Sequence, residues 1–368
     1  MTGPAYPVAH AVAPRIQEHF SRHAGPGVPP PDVTMIETII DAAFWASLRR
    51  EEGMVPRISI ALVAPERAGE PLHFGHALPL SAHALAKLAQ AVERPGIHLG
   101  VWMVDGELLV WGTTQHLPPY CFVLEVVTSG LLVVKQRANI GKFVNVAVLE
   151  GDAVKLVDER TADVPDCPGL LQSLLGIVRA VGPAGAGTDA LNVLVQLAAS
   201  MRSHGRGGAL LVTPSASDAW LLSVVTPMTY ALTPPFTGLS AVMRADSGAD
   251  SDDVRRAVEG IAGLTAVDGA MVMNDHYDVL AFGVKITRRK GSASVERITV
   301  TEPIVGSESA VVAPGQFGGT RHLSAAQFVH DQRDAVALVA SQDGRFTIFR
   351  WSDEEEMVHA HRVEALLL

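Results

Sequence analysis

Residues 317–331 read Phe-Gly-Gly-Thr-Arg-His-Leu-Ser-Ala-Ala-Gln-Phe-Val-His-Asp, two glycines and a threonine set directly ahead of an arginine–histidine pair. A stretch of helical character follows. If Thr320 caps that helix, free backbone N–H groups and the positive end of the helix dipole face outward, where a phosphate can sit. Arg321 adds a forked donor matched to phosphate oxygens, and His322 adds a second donor. Two carboxylates belong with them. Asp268 stands in Val-Asp-Gly-Ala, where the small Gly269 and Ala270 leave room for a ligand's sugar at a strand edge. Asp343, beyond the next strand, offers a second carboxylate for a divalent cation, and Mg²⁺ takes one or two carboxylates plus phosphate oxygens. Each piece also has a plainer use: Asp343–Gly344 is a hairpin signal, and glycines before a helix make a tight connection.

The elements that must position these residues are legible as strands interleaved with helices. In the first half, Thr34 and Glu37 have capping-box spacing, and Ile36, Ile39, Ile40, Phe44 and Leu48 recur at helical intervals. A strand at 57–65, a helix at 81–93 and a hairpin turning at Asp105–Gly106 follow, then further strands to about residue 158. Trp102 and Trp111 flank the hairpin, where they either stack on a ligand or pack across strands. Two helix-like stretches lie at 165–182 and 188–205, separated by the flexible Pro-Ala-Gly-Ala-Gly. After them come a buried strand entered through Gly207 and Gly208, a strand pair around Asp268, a strand at 297–304 and a pair turning at Asp343–Gly344.

This pattern predicts an α/β (α+β) chain: a C-terminal mixed sheet flanked by helices, preceded by a smaller α+β domain rich in antiparallel hairpins. The expected boundaries are a flexible proline- and glycine-rich segment at 1–31, the first domain at 32–160 and a helical linker at 161–187. The second domain spans 188–352, and a helical tail capped by Ser352 spans 353–368. On that helix His359 and His361 would point to different faces.

Bulk properties narrow the partners. The formal charge is -10, which argues against a nucleic-acid polymer but not against a single nucleotide needing a few local cations. No apolar run approaches the ~20 residues of a membrane span. The first residues lack the basic start and apolar segment of a signal peptide, so a cytoplasmic location without membrane contact is the expectation. Cys121 and Cys167 fit neither a disulfide framework nor a thiolate metal site. His73, His76, His83 and His98 show no metal-ligand pairing, His276 reads as a turn residue, and the glycine-rich 182–190 lacks the lysine of a P-loop.

The order of the C-terminal motifs carries a resemblance. Gly208-Ala209-Leu210, Asp268-Gly269-Ala270, Gly319-Thr320-Arg321-His322 and Ser341-Gln342-Asp343 together resemble the diadenylate cyclase (DAC) domain family, which joins two ATP molecules into cyclic di-AMP. The likeness covers roughly 188–352. The N-terminal half, with Phe-Trp-Ala-Ser-Leu-Arg-Arg-Glu-Glu-Gly and Leu-Gly-Val-Trp-Met-Val-Asp-Gly, looks like DACNV, the probable sensor region attached to one DAC branch.

What the resemblance implies is a nucleotidyltransferase. Each domain would hold one ATP with Mg²⁺ or Mn²⁺, and two domains of a homo-oligomer would face each other. The 3′-hydroxyl of one ATP would then attack the α-phosphorus of the other. Asp268 would orient or deprotonate that hydroxyl, and Arg321 and His322 would grip the phosphates. Gly269, Ala270, Gly319, Thr320 and Ser324 would line the nucleotide, and Asp268 with Asp343 would hold the metal. The sequence departs from the family pattern at Leu323, where a second arginine is usual, at Gln342–Asp343, where the family has two glutamates, and at Val267, often histidine. Three readings stay open: a divergent diadenylate cyclase regulated by the first domain, a receptor for ATP or cyclic di-AMP that has lost turnover, and a scaffold whose motifs only cap and turn.

Overall fold

Short runs of alternating apolar residues build the sheets, and turn residues set where they reverse. The computed structural model describes residues 5–25, 29–51, 53–138, 143–158, 187–244 and 251–368. The chain divides into two units, Met1–Val157 together with Leu368, and Asp158–Leu367.

In the first unit, β1 (Ile58–Leu62), β2 (Leu72–Pro79), β3 (His98–Val104), β4 (Glu107–Thr114), β5 (Phe122–Thr128), β6 (Leu131–Arg137), β7 (Phe143–Glu150) and β8 (Ala153–Leu156) form one sheet. Its order is β2-β4-β3-β1-β5-β6-β7-β8. Only β1 and β3 pair in parallel. The β3–β4 hairpin turns through Asp105 (φ 49°) and Gly106 (φ 86°), the left-handed pair that matches the twist of its strands.

Helices α1 (Pro7–Arg22), α2 (Val33–Ser47) and α3 (Ala82–Leu88) complete this unit. Ile36, Ile39, Ile40 and Ala43 of α2 share a buried core with Leu124, Leu132 and Val134. The cap of α2 is Asp32 rather than the expected Thr34: the Asp32 carboxylate accepts the Thr34 N–H at 2.8 Å. The expected flexible segment 1–31 is corrected as well, because α1 lies within it. Ala9, Val12, Ala13, Ile16 and Phe20 recur at helical spacing and are buried, and the Phe20 ring lies 5.4 Å from Phe122. Pro7 occupies the first turn, where a missing N–H costs nothing, and Pro14 falls on the exposed side.

The second unit carries a mixed sheet of β9 (Gly208–Thr213), β10 (Tyr230–Phe236), β11 (Ala270–Asn274), β12 (Val279–Val284), β13 (Ile298–Thr301), β14 (Ala310–Val312), β15 (Val336–Ala340), β16 (Phe346–Ser352) and β17 (Met357–Arg362). The order is β10-β12-β11-β9-β15-β16-β17-β13-β14, with β9–β11 and β13–β17 parallel. Among the described residues five helices accompany it: α4 (Gly187–Ser203), α5 (Gly238–Arg244), α6 (Ser251–Ala262), α7 (Pro314–Phe317) and α8 (Thr320–Asp331). Ala325, Ala326, Phe328 and Val329 of α8 pack with Ala209, Leu211, Ala337 and Val339 on one face of the sheet. Leu210 and Leu338, one residue out of phase, are buried on the other face, and α4 packs against α6 and β15.

The expected helical tail is a strand instead. β17 pairs antiparallel with β16 and parallel with β13, and only Glu364–Leu366 forms a single 3₁₀ turn. Ser352 accepts the Glu355 N–H at 3.2 Å, so the residue that looked like a helix cap closes the β16–β17 turn. On a strand His359 and His361 share a face, both buried, with ring centroids 5.8 Å apart. The helix expected at 165–182 and Cys167 lie outside the described residues. No described helix is long and apolar enough to cross a membrane.

Candidate functional site

The ends of four neighbouring interior strands and one helix start meet at one end of the second sheet's strands. β9 and β11 begin there, β12 and β15 end there, and α8 opens beside them. Between them lies a cleft of about 570 Å³, lined by Asp268, Gly269 and Ala270 on one side and by Gly319, Thr320, Arg321, His322 and Ser324 on the other. Ala209, Val284, Lys285, Ile286, Ala340 and Ser341 complete the wall. The two motifs that the sequence separates by a long interval thus open onto a single space.

The backbone of the Asp-Gly-Ala turn explains its residue types. Gly269 has φ 126°, a conformation that side chains disfavour, and a Cβ there would lie 2.5 Å from the carbonyl carbon of Gly283. Gly283 is itself left-handed at φ 60° and sits beside the ring of Tyr230. The close approach of these two glycines fixes Asp268 at the mouth of the β11–β12 pair, whose register sets Ala270 opposite Val284. Counting one residue outward on each strand brings Lys285 beside the Asp-Gly turn.

Lys285 is the residue that sequence reasoning missed. Its Nζ lies 2.6 Å from Asp268 Oδ2, and its carbonyl is held by the Val225 N–H at 2.9 Å. The hydrogen bond and charge of Lys285 hold the Asp268 carboxyl below the usual carboxylate range, and Arg321 acts in the same direction. The signal was present: a lone lysine closing the apolar run Val-Leu-Ala-Phe-Gly-Val, on the strand partnered with Asp-Gly-Ala.

The opposite wall is the first turn of α8. Gly319 rather than Thr320 is the N-cap, extended at φ -74° and ψ -172°, and no side chain caps the helix. Its carbonyl accepts from the His322 and Leu323 N–H groups at 3.0 and 3.2 Å. The N–H groups of Thr320 and Arg321 point along the helix axis without an intrahelical acceptor, as in any helix start. The cap therefore shifts by one residue from the expectation, and the unpaired donors remain.

Arg321 is half-buried, and among the described residues no carboxylate forms an ion pair with it. Its guanidinium rests over Gly207, where an added Cβ would come within 3.0 Å of Nη1. Gly207, left-handed at φ 70°, thus leaves the space that the arginine occupies. His322 reaches the cleft wall but is largely buried, edge-on to Phe317 and Phe349 at centroid distances of 5.6 and 6.0 Å. Burial pushes its pKa down, so at neutral pH it is a neutral donor or acceptor and not a second cation.

The two walls are tied together at the far end of α8. The Asp331 carboxylate accepts the Arg289 N–H at 2.8 Å and the Gln327 amide at 3.0 Å, linking the loop after Lys285 to the helix that carries Arg321. His276 is a turn residue, its N–H donated to Asn274 Oδ1 at 3.0 Å.

Asp343 does not join the cleft. It sits in the β15–β16 turn, where its carboxylate accepts from the Arg345 N–H at 3.3 Å and faces Arg345 Nε at 3.4 Å. A hydrogen bond from Ser341, first among several, keeps its pKa low. The Asp343–Gly344 hairpin turn forms as its residues signal, with Gly344 left-handed at φ 84°. Among the described residues no group of three or more His, Cys, Asp or Glu side chains converges on one point. The two-carboxylate metal site implied by the resemblance therefore does not fit: one carboxylate lines the cleft, and it already carries an ammonium.

In the first unit the two tryptophans divide. Trp111 is buried with its Nε1–H donated to the Val63 carbonyl at 2.9 Å, a packing role. Trp102 is half-buried and lines a separate cavity of about 250 Å³ with Pro30, Pro118, Tyr120 and Arg67. Cys121 lies at its base, a buried thiol whose pKa burial pushes up to about 12, so it is inert at neutral pH.

No curated protein matches the chain. Residues 26–115, from the proline-rich stretch through β4, match the family model described as "Probable sensor domain DACNV", so this part of the first unit is similar to that sensor family.

Proposed function

We propose that the second unit binds ATP in the cleft between Asp268 and Arg321, and that two such units facing each other condense two ATP molecules into a cyclic dinucleotide. The observation that carries this reading is the shared cleft: at about 570 Å³ it has the size of a nucleotide site, and both motifs line it. The sensor-domain match on the preceding residues supports it independently.

The chemistry follows from the donors present. The start of α8 offers two free N–H groups and a positive dipole end, and Arg321 offers a fork, together an anion receptor for phosphates. Neutral His322 adds a hydrogen bond without charge. Asp268, ionised at neutral pH, accepts the 3′-hydroxyl of the ribose and orients it. In the transfer step the O3′–Pα bond forms and the bond from Pα to the bridging oxygen breaks. Pyrophosphate leaves, and the hydroxyl proton passes by way of Asp268 to water. One unit supplies half of this arrangement, so turnover requires a homo-oligomer. Positioning and charge stabilisation carry most of such a reaction.

The test is a product assay by mass spectrometry on the full chain with ATP and either Mg²⁺ or Mn²⁺. A cyclic dinucleotide with matching pyrophosphate release is the expected result. Absence of product at every protein concentration with both metals overturns the cyclase. A second reading, a nucleotide receptor without turnover, is favoured by the ammonium already seated on Asp268 and by exposed Leu323 in place of a second arginine. It predicts saturable binding of ATP or cyclic di-AMP without pyrophosphate release.

A further inference from the structure

We infer that Lys285 supplies the positive charge that a divalent metal would otherwise bring to Asp268, so that the cleft takes a nucleoside triphosphate without metal. This rests on the reading of the cleft as a nucleotide site and specifies how that site balances charge.

Three observations lead to it. Lys285 Nζ lies 2.6 Å from Asp268 Oδ2, against the oxygen that a cation ligated by that carboxylate would use. Lys285 lines the same cleft as Arg321, so one cation stands on each wall. The second carboxylate expected for a metal, Asp343, is turned toward Arg345 outside the cleft.

A divalent ion entering at Asp268 would meet like charge at short range and would offer the ammonium no new anion in exchange. A triphosphate meets the opposite situation. The Lys285 and Asp268 side chains are 54% and 92% exposed, and an ion pair that open is weak and readily exchanged. Lys285 can therefore swing from the carboxylate to a phosphate oxygen at small cost, as a compact point charge on a flexible stem. The exchange releases Asp268 toward the ribose hydroxyl. Its backbone stays fixed meanwhile by the Val225 N–H and by the Gly269–Gly283 approach. Lysine and arginine together then offset two of the triphosphate's negative charges, the number one divalent ion would offset.

The experiment is calorimetric titration of ATP into the full chain, in EDTA and in Mg²⁺, with wild type and Lys285→Ala. The side chain is exposed, so the variant is expected to fold, checked by circular dichroism. The expected result is wild-type affinity in EDTA within about threefold of that in Mg²⁺. Lys285→Ala is expected to lose about 10- to 100-fold in EDTA, as for a charge-assisted phosphate contact. It should regain part of that in Mg²⁺, because the ion can then reach Asp268. Wild-type binding that disappears in EDTA overturns the inference and leaves the nucleotide site standing. Metal-independent binding that is unchanged in Lys285→Ala overturns it too, since the charge then comes from elsewhere. No binding in either buffer overturns the nucleotide site itself and this inference with it.

Discussion

Asp268→Asn is expected to cut cyclic dinucleotide formation about 100-fold or more while leaving ATP affinity within a few-fold of wild type. The asymmetry follows from where the carboxylate sits. Its side chain is 92% exposed, and among the described residues its hydrogen-bonded partner is Lys285, so neither the strand pair nor the helix depends on it. Asparagine keeps the shape and one acceptor oxygen but removes the charge that holds the 3′-hydroxyl and passes on its proton. The same change releases Lys285 for a phosphate, so binding is not weakened. Rates and affinities measured on one preparation check both halves. A variant that turns over at the wild-type rate would remove Asp268 from the reaction.

Arg321→Ala is expected to weaken ATP binding about 10- to 100-fold, the loss of a charge-assisted phosphate contact of about 1.5–3 kcal/mol. Among the described residues no carboxylate competes for this guanidinium, and it lies in a cleft beside unpaired helix N–H groups. The fold should tolerate the change, since α8 is held by Ala325, Ala326, Phe328 and Val329 in the core and by Asp331 at its end. Arg321→Lys keeps the charge but not the fork and should fall between the two. Calorimetry on the three proteins reads the series. Equal affinities would place the phosphates elsewhere.

Where pattern and packing agree, the sequence was a sufficient guide. The Asp105–Gly106 hairpin, the Asp343–Gly344 turn and the strands around Asp268 all appear as their residues indicate. The failures share a cause: local chemistry that serves two structures. Ser352 with acids behind it reads as a helix cap, yet the same hydroxyl closes a turn once β17 finds β13 and β16, partners distant in the chain. The proline-rich run at 26–31 that made 1–31 look loose follows α1 rather than filling it, and the buried stripe Ala9, Val12, Ala13, Ile16 and Phe20 ahead of it makes the helix. β10, Tyr-Ala-Leu-Thr-Pro-Pro-Phe, escaped notice because its prolines argue against a strand, but it is an edge strand, the place in a sheet that tolerates them.

The site was legible to the same degree. Asp268 and Arg321 were singled out by their motifs, and both line one cleft. Asp343 was assigned from its place in a motif, but it is not among the residues lining the cleft and pairs with Arg345 in its hairpin turn. Lys285 has no motif at all. Only the strand register, which sets Ala270 opposite Val284, brings it to Asp268.

The most direct measurement of the central claim is photo-crosslinking of the full chain with an ATP analogue that carries an aryl azide on the γ-phosphate, followed by peptide mapping. The account predicts label on peptides spanning 284–286 or 319–324, suppressed by excess ATP and lost in Arg321→Ala. Label confined to the first unit, or label that excess ATP does not displace, would contradict it.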